Sequence, residues 1–140
     1  MRQPSAGDAR NEEHEQKEET IDVKYMFLIY GDPTGDPTSP EAVQAEIDAY
    51  WAYDKLLTDA GALLDSQALQ GTETATSVRV GGDGGHTVTD GPFAETREIL
   101  GGYYLVDLPD LDAAIGWATR CPGALRGTIE IRPIMEFEQP

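Results

Sequence analysis

Residues 23–30 read VKYMFLIY, a run of β-branched, aromatic and other apolar side chains that ends at Gly31-Asp32-Pro33. A run of this length without a polar face predicts a β-strand that is buried on both sides. Residues 103–106, which read YYLV, predict a second strand of the same kind. A sheet built on these two strands must therefore be covered on both of its faces.

The residues around these strands predict two helices. Ser39-Pro40-Glu41 has the composition of a helix start, with a capping hydroxyl, a proline at the first position and an acid in the first turn. The apolar face of this helix is predicted to hold Val43, Ile47, Tyr50, Trp51 and Leu57. Gly61 is predicted to end it in a left-handed conformation. Asp110 is predicted to cap a second helix, which ends at Cys121 because Pro122 disfavours helical geometry in the residue before it.

Further strands are predicted at residues 62–69, 76–80, 86–89, 101–107 and 128–137. The glycine-rich residues 81–85 form the tip of a hairpin in this interpretation. The element order is thus β-α-β, a hairpin, and β-α-β. It predicts an α+β fold, a ferredoxin-like split βαβ with an inserted β-hairpin.

In this layout both helices cover one face of the sheet, and the chain has no further element for the other. An uncovered apolar face of this size is unusual on a monomer. We therefore expect a two-fold homodimer that is closed by the sheet faces. The alternative is a monomer in which the hairpin folds over the sheet.

The composition excludes several classes of protein. The 140 residues include 26 acids and 10 bases, and a net charge of −16 argues against nucleic-acid binding and against an anionic membrane surface. No apolar run approaches the length of a membrane span, and the N-terminus lacks the apolar region of a signal peptide. The expected location is cytoplasmic.

The sequence predicts no metal site and no cofactor. Cys121 is the single cysteine, so an intrachain disulfide is excluded. His14 and His86 are far apart and match no zinc-binding spacing.

Residues 1–22 are predicted to be a disordered acidic tail, since they contain seven acids and three bases and only Met1 and Ile21 as large apolar residues. A short solvated helix over residues 11–19 is the alternative. The folded domain is predicted to span residues 23–137.

Residues 90–98 read DGPFAETRE. This motif resembles the DGPF family of YCII-related proteins, and the resemblance extends over residues 24–31, 72–80, 101–104 and 128–134. It implies a dimeric α+β barrel of ferredoxin-like subunits. Members of the family are bacterial, are often encoded near extracytoplasmic-function sigma factors, and mostly have no assigned activity. Related YCII proteins carry a His–Asp pair proposed to be catalytic, but no histidine lies in the first strand or first helix here, so that pair is not carried over.

The motif supplies the candidate catalytic residues Asp90, Glu95 and Arg97. Arg97 is placed to keep one carboxylate ionised, while a neighbour that is repelled by like charge keeps its proton, which gives an acid and a base. In the structural alternative, Asp90 caps the turn and Arg97 bridges to Glu95 or Glu98.

The candidate ligand-binding residues are Tyr30, Glu98, Tyr103, Glu130 and Arg132. Glu130 and Arg132 share one face of the last strand, where they either point into the barrel and bind an anion or form a weak ion pair in solvent. Tyrosines 30, 103 and 104 either offer phenol donors to a cavity or pack in the core.

Three functions follow from these observations. The first is a small-molecule enzyme that uses carboxylate acid/base chemistry in a barrel cavity. The second is a non-catalytic ligand-binding or regulatory module that acts with an extracytoplasmic-function sigma factor through its negative charge. The third is a structural dimer without a ligand.

Overall fold

The computed structural model describes residues 22–138. Its helices and strands are β1 (Val23–Gly31), α1 (Pro40–Asp59), β2 (Leu63–Ala68), β3 (Thr76–Val80), β4 (His86–Asp90), β5 (Ile99–Leu108), α2 (Leu111–Ala118) and β6 (Gly127–Pro133). Short 3-10 helices occur at Pro33–Gly35, Thr72–Thr74 and Pro122–Leu125.

The main sheet has four strands in the order β2-β5-β1-β6, and every neighbouring pair is antiparallel. In the central strand, Phe27 lies opposite Tyr104 of β5 and Ile131 of β6. Strands β3 and β4 form a separate two-stranded sheet, in which Val78 lies opposite Val88. The predicted α+β, ferredoxin-like fold with an inserted hairpin is confirmed.

The predicted helix signals are also confirmed. The Ser39 hydroxyl accepts a hydrogen bond from the Ala42 amide at 3.1 Å. The Asp110 carboxylate accepts one from the Ala113 amide at 2.8 Å. Gly61 has a φ of +71°, the left-handed conformation that favours glycine after a helix. These local contacts fix where each helix begins and where α1 stops.

Two predicted ends are wrong. Helix α2 ends at Ala118, and the amide of Cys121 closes a tight turn on the Ala118 carbonyl before Pro122 starts a 3-10 helix. Strand β6 ends at Pro133 instead of residue 137. Strand β6 runs antiparallel to β1, which begins at Val23. The last backbone hydrogen bond between them is therefore the one that the Ile134 amide donates to the Lys24 carbonyl.

The core lies between the two helices and one face of the sheet. Phe27 of β1, Val106 of β5 and Leu57 of α1 are fully buried there. The Tyr53 hydroxyl donates a hydrogen bond to the Trp117 carbonyl at 2.8 Å and so joins α1 to α2. The ring of Trp117 meets that of Tyr53 edge-on, as expected of a side chain that packs over the sheet.

The predicted apolar face of α1 is partly wrong. Val43, Ile47 and Trp51 are 37%, 42% and 70% exposed, whereas Tyr53 and Leu57 are buried. Tyr53 and Leu57 pack in the core, and Val43 and Tyr50 border a cavity.

The other face of the sheet carries Met26, Leu28, Tyr103 and Leu105, which alternate with the buried side chains and are half-buried. The strands of the hairpin are almost wholly exposed, so the hairpin does not cover this face. Neither helix in residues 22–138 has the length and apolar character needed to cross a membrane.

Candidate functional site

A cavity of about 810 Å³ opens where α1 faces the C-terminal end of β1, the start of β5 and the segment after β2. One part of its wall is apolar and consists of Ile29, Val43, Leu69, Ile99 and Leu100. The other part is polar and contains Tyr30, Asp32, Asp36, Glu46, Tyr50, Asp54, Ser66, Glu73, Tyr104 and Arg126. This mixture is typical of sites for small organic molecules.

Helix α1 brings three polar residues to the cavity. Glu46, Tyr50 and Asp54 are four residues apart, and a spacing of four places side chains along one side of a helix. The side chains therefore line the cavity in a row, with Glu46 beside Arg126 and Asp54 beside the buried Tyr104.

Asp54 is fixed by a hydrogen bond from the Tyr104 hydroxyl to its Oδ1. Its Oδ2 has no hydrogen-bond partner within residues 22–138. Burial, together with the hydrogen bond and charge of Asp54, raises the pKa of Tyr104 far above its usual value. The phenol therefore remains protonated, and one carboxylate oxygen is free to meet a ligand.

Tyr50 stacks on Tyr104, with ring centroids 6.5 Å apart and planes 11° from parallel. A Cβ at Gly123 would lie 2.7 Å from the Tyr50 hydroxyl oxygen and 2.8 Å from Ile29, so a larger residue there would have to displace one of these side chains. Burial is the main cause that raises the pKa of Tyr50, and Cys121 and Glu46 add to it. Tyr50 is thus a second protonated donor at the cavity wall.

Arg126 is held in the cavity wall by three partners. Its guanidinium donates to the Gly35 carbonyl at 2.7 Å, pairs with Glu46, and lies 3.5 Å from Asp36. This arginine connects the loop after β1 to α1 and the start of β6.

Asp32, like Asp36, is an acidic residue of the loop between β1 and α1 and lines the cavity. It accepts hydrogen bonds from the amide and hydroxyl of Thr34 at 3.0 and 2.8 Å, and one from Arg97 at 3.2 Å. The Thr34 bonds and then Arg97 lower the pKa of Asp32, so it is ionised at neutral pH.

The three predicted catalytic residues are not brought together. Arg97 is 91% exposed and pairs with Asp32 instead of Glu95 or Glu98. Asp90 and Glu95 are exposed and make no side-chain hydrogen bond or ion pair among the described residues. Gly91 shapes the turn, with a φ of +100° and an amide that donates to the Ala75 carbonyl. The catalytic role of this motif stays a prediction.

Of the predicted ligand-binding residues, Tyr30 lines the cavity. Glu98 accepts a hydrogen bond from the Thr128 hydroxyl at 3.0 Å. Tyr103 lies on the opposite face of the sheet and donates to Asp65 at 2.8 Å, a bond that raises its pKa. Glu130 and Arg132 form an exposed ion pair of 3.3 Å.

Sequence reasoning missed Asp54, Ser66 and Arg126. The four-residue spacing of Glu46, Tyr50 and Asp54 was the available signal, because it places three polar side chains on one side of the helix. Within residues 22–138, no group of three or more histidine, cysteine, aspartate or glutamate side chains is arranged to hold a metal ion.

Comparison with known proteins gives two matches. The model of the YCII-related domain matches residues 23–138. A protein of Rhizobium meliloti (strain 1021), described as uncharacterised, is 38% identical over 117 residues, which cover 81% of this chain and 94% of the relative.

Proposed function

This chain belongs to the family of YCII-related domain proteins, and we propose that it is a small-molecule enzyme that transfers protons in the cavity beside α1. The observation that carries the proposal is the arrangement of Asp54, which has one oxygen fixed by Tyr104 and the other without a partner among the described residues. A carboxylate of this kind is a suitable general base.

The cavity wall supplies a hydrogen-bond donor as well as a base. Asp54 takes a proton from one atom of the bound molecule and returns it to another, while the phenol of Tyr50, whose pKa is raised, keeps its proton and donates a hydrogen bond. Tyr104 holds the Asp54 carboxylate in one orientation, so the base is positioned before the ligand arrives.

Arg97 has a supporting role in this proposal. It fixes Asp32 at the cavity, 65 residues away in the sequence, and so connects the DGPF segment to the site. Asp90 and Glu95 are the alternative acid/base pair, and they would act outside the cavity.

The proposed oligomer is a homodimer. Met26, Leu28, Tyr103 and Leu105 present a half-buried apolar surface on the sheet face away from the helices. A second copy placed on the same face would bury it under two-fold symmetry.

The second candidate function is a regulatory module that binds a basic protein surface, such as that of an extracytoplasmic-function sigma factor. The net charge of −16 favours it. Binding of this kind weakens steeply as salt is raised, whereas an apolar cavity ligand is little affected.

A thermal-shift screen of the full chain against small metabolites tests the enzyme proposal. A ligand at about 100 times its Kd adds roughly 2.7 kcal/mol of stability. We expect a hit whose shift is lost in Asp54→Asn and reduced in Tyr50→Phe, and kept in Asp90→Asn.

The same variants locate the site. A hit lost in Asp90→Asn and kept in Asp54→Asn would move the site to the DGPF segment. An empty screen, with a protein that melts cooperatively, would count against the enzyme and for the regulatory module.

A further inference from the structure

The charge of the cavity wall is strongly unbalanced. Five carboxylates line it, from Asp32, Asp36, Glu46, Asp54 and Glu73. Against them stands one basic side chain of the lining, Arg126. An organic molecule that enters this cavity therefore meets a negative wall.

The guanidinium of Arg126 is already paired with other groups of the protein. Glu46 and Asp36 both pair with it, and the Gly35 carbonyl accepts one of its N–H groups. An anionic ligand would have to displace these partners to reach the guanidinium, which costs binding energy.

Two of the five carboxylates form no ion pair among the described residues. Asp32 is paired with Arg97, but neither Asp54 nor Glu73 forms an ion pair with a residue of the range 22–138. Asp54 is half-buried, and its Oδ2 has no hydrogen-bond partner among residues 22–138. Burial is the main cause that raises the pKa of the neighbouring phenols, and Glu46 adds to it at Tyr50 as Asp54 does at Tyr104.

A metal ion does not fit this wall. Divalent cations take several oxygen ligands at close range, and the described residues offer no such group of three. The apolar wall formed by Ile29, Val43 and Leu100 instead fits the carbon body of an organic molecule.

We propose that the cavity takes an organic cation, a small molecule with an apolar body and a protonated amine or guanidinium group that pairs with Asp54. The inference rests on the proposed function and names its class of substrate. Neutral and anionic molecules of the same size are disfavoured, since they leave the unpaired carboxylates without a partner.

Three phenylalkyl probes of similar size test the charge preference. Phenethylammonium is the cation, phenylpropanol the neutral analogue and phenylpropanoate the anion, and each is titrated into the full chain and followed by amide NMR. We expect phenethylammonium to shift the amides around Asp54 and Tyr50 and to bind at least about tenfold more tightly than the other two.

Two matched variants locate the interaction. Asp54→Asn keeps the acceptor for Tyr104 and removes the charge, so binding of phenethylammonium should weaken about tenfold while phenylpropanol binding is unchanged. Asp48→Asn makes the same change on the same helix outside the cavity lining and should leave all three affinities unchanged. Glu73→Gln, at an exposed position of the wall, repeats the test if Asp54→Asn does not fold.

The outcomes separate this inference from the proposed function. Equal or tighter binding of phenylpropanol or phenylpropanoate at the same amides overturns the cation preference and leaves the small-molecule cavity in place. If no probe shifts the cavity amides, the cation inference falls, whereas the proposed function falls only if the metabolite screen is also empty.

Discussion

At the scale of single residues, the hydrogen bond between Tyr104 and Asp54 connects the core to the cavity. The ring of Tyr104 is 4% exposed and packs edge-on against Tyr53, while its hydroxyl reaches the carboxylate. Removing a buried hydroxyl that has one acceptor leaves that acceptor without its hydrogen bond. The loss should be measurable as a lower free energy of unfolding.

Tyr104→Phe keeps the packed ring and removes the hydroxyl. We expect it to lower the free energy of unfolding by about 1–2 kcal/mol, because the half-buried Asp54 loses its donor. Urea unfolding measures the change. Tyr30→Phe is the control, since it removes a cavity-lining hydroxyl that has no hydrogen-bond partner within residues 22–138. Its effect should stay within about 0.5 kcal/mol, and equal losses in both variants would contradict the argument.

The buried tyrosines also predict the response to alkali. Burial raises the pKa of Tyr50, Tyr53 and Tyr104 in the folded protein. Their contribution to stability is therefore complete below the unfolded pKa of about 10 and is lost as the pH rises towards the folded values.

Tyrosinate absorbance followed above pH about 10 should consequently show a late step that coincides with unfolding seen by circular dichroism. The double variant Tyr50→Phe/Tyr104→Phe should have a smaller late step. Complete ionisation of all tyrosines before any loss of structure would show that these phenols are accessible.

At the scale of elements, replacing Gly91 and Gly116 by alanine should change the stability of the protein in opposite directions. Gly91 follows β4 with a φ of +100°, where a side chain is strained. Gly116 lies in α2, and a Cβ there would meet nothing within 4 Å.

Gly91→Ala should destabilise the protein by about 1–2 kcal/mol, whereas Gly116→Ala should stabilise it by about 0.5–1 kcal/mol through helix propensity and a less flexible unfolded chain. Thermal melting of both variants measures the two effects. Shifts of the same sign would mean that the turn after β4 tolerates a side chain.

The elements also show how far the sequence predicts this fold. Ser39 and Asp110 act through bonds to residues three positions away, so their effect is readable from the local sequence. The end of β6 depends on where its partner β1 begins. These two positions are more than 100 residues apart, so the sequence around the end of β6 carries no signal for it.

The candidate site was harder to predict than the fold for the same reason. Asp54 is a candidate site residue because it accepts a hydrogen bond from Tyr104 of β5, which is 50 residues away in the sequence. Arg97 lies in the most distinctive motif, yet its partner Asp32 is 65 residues away. A single sequence shows residue types and spacing within elements, but not which distant side chains meet.

At the scale of the whole molecule, the apolar side of the sheet leads to an expectation about assembly. Leu28 lies opposite Tyr103 and Glu130 on that side. Leu28→Glu should place a negative charge in the proposed dimer contact and beside another carboxylate, which is unfavourable.

Light scattering after size-exclusion chromatography should give a dimer for the natural chain and a monomer for Leu28→Glu. Val78→Glu is the control, because Val78 lies on the hairpin and is 64% exposed. Circular dichroism checks that both variants fold. A natural chain that is monomeric at all concentrations would overturn the homodimer.

The rate at which a reagent labels Cys121 can report local opening of the molecule. Cys121 is the single cysteine of the chain, is 1% exposed, and lies next to the cavity-lining Tyr50. Burial raises the pKa of its thiol, so a thiol-specific reagent can modify it only when this region opens. The labelling rate therefore reports how often the region around Tyr50 opens, and a molecule bound in the cavity should slow that rate.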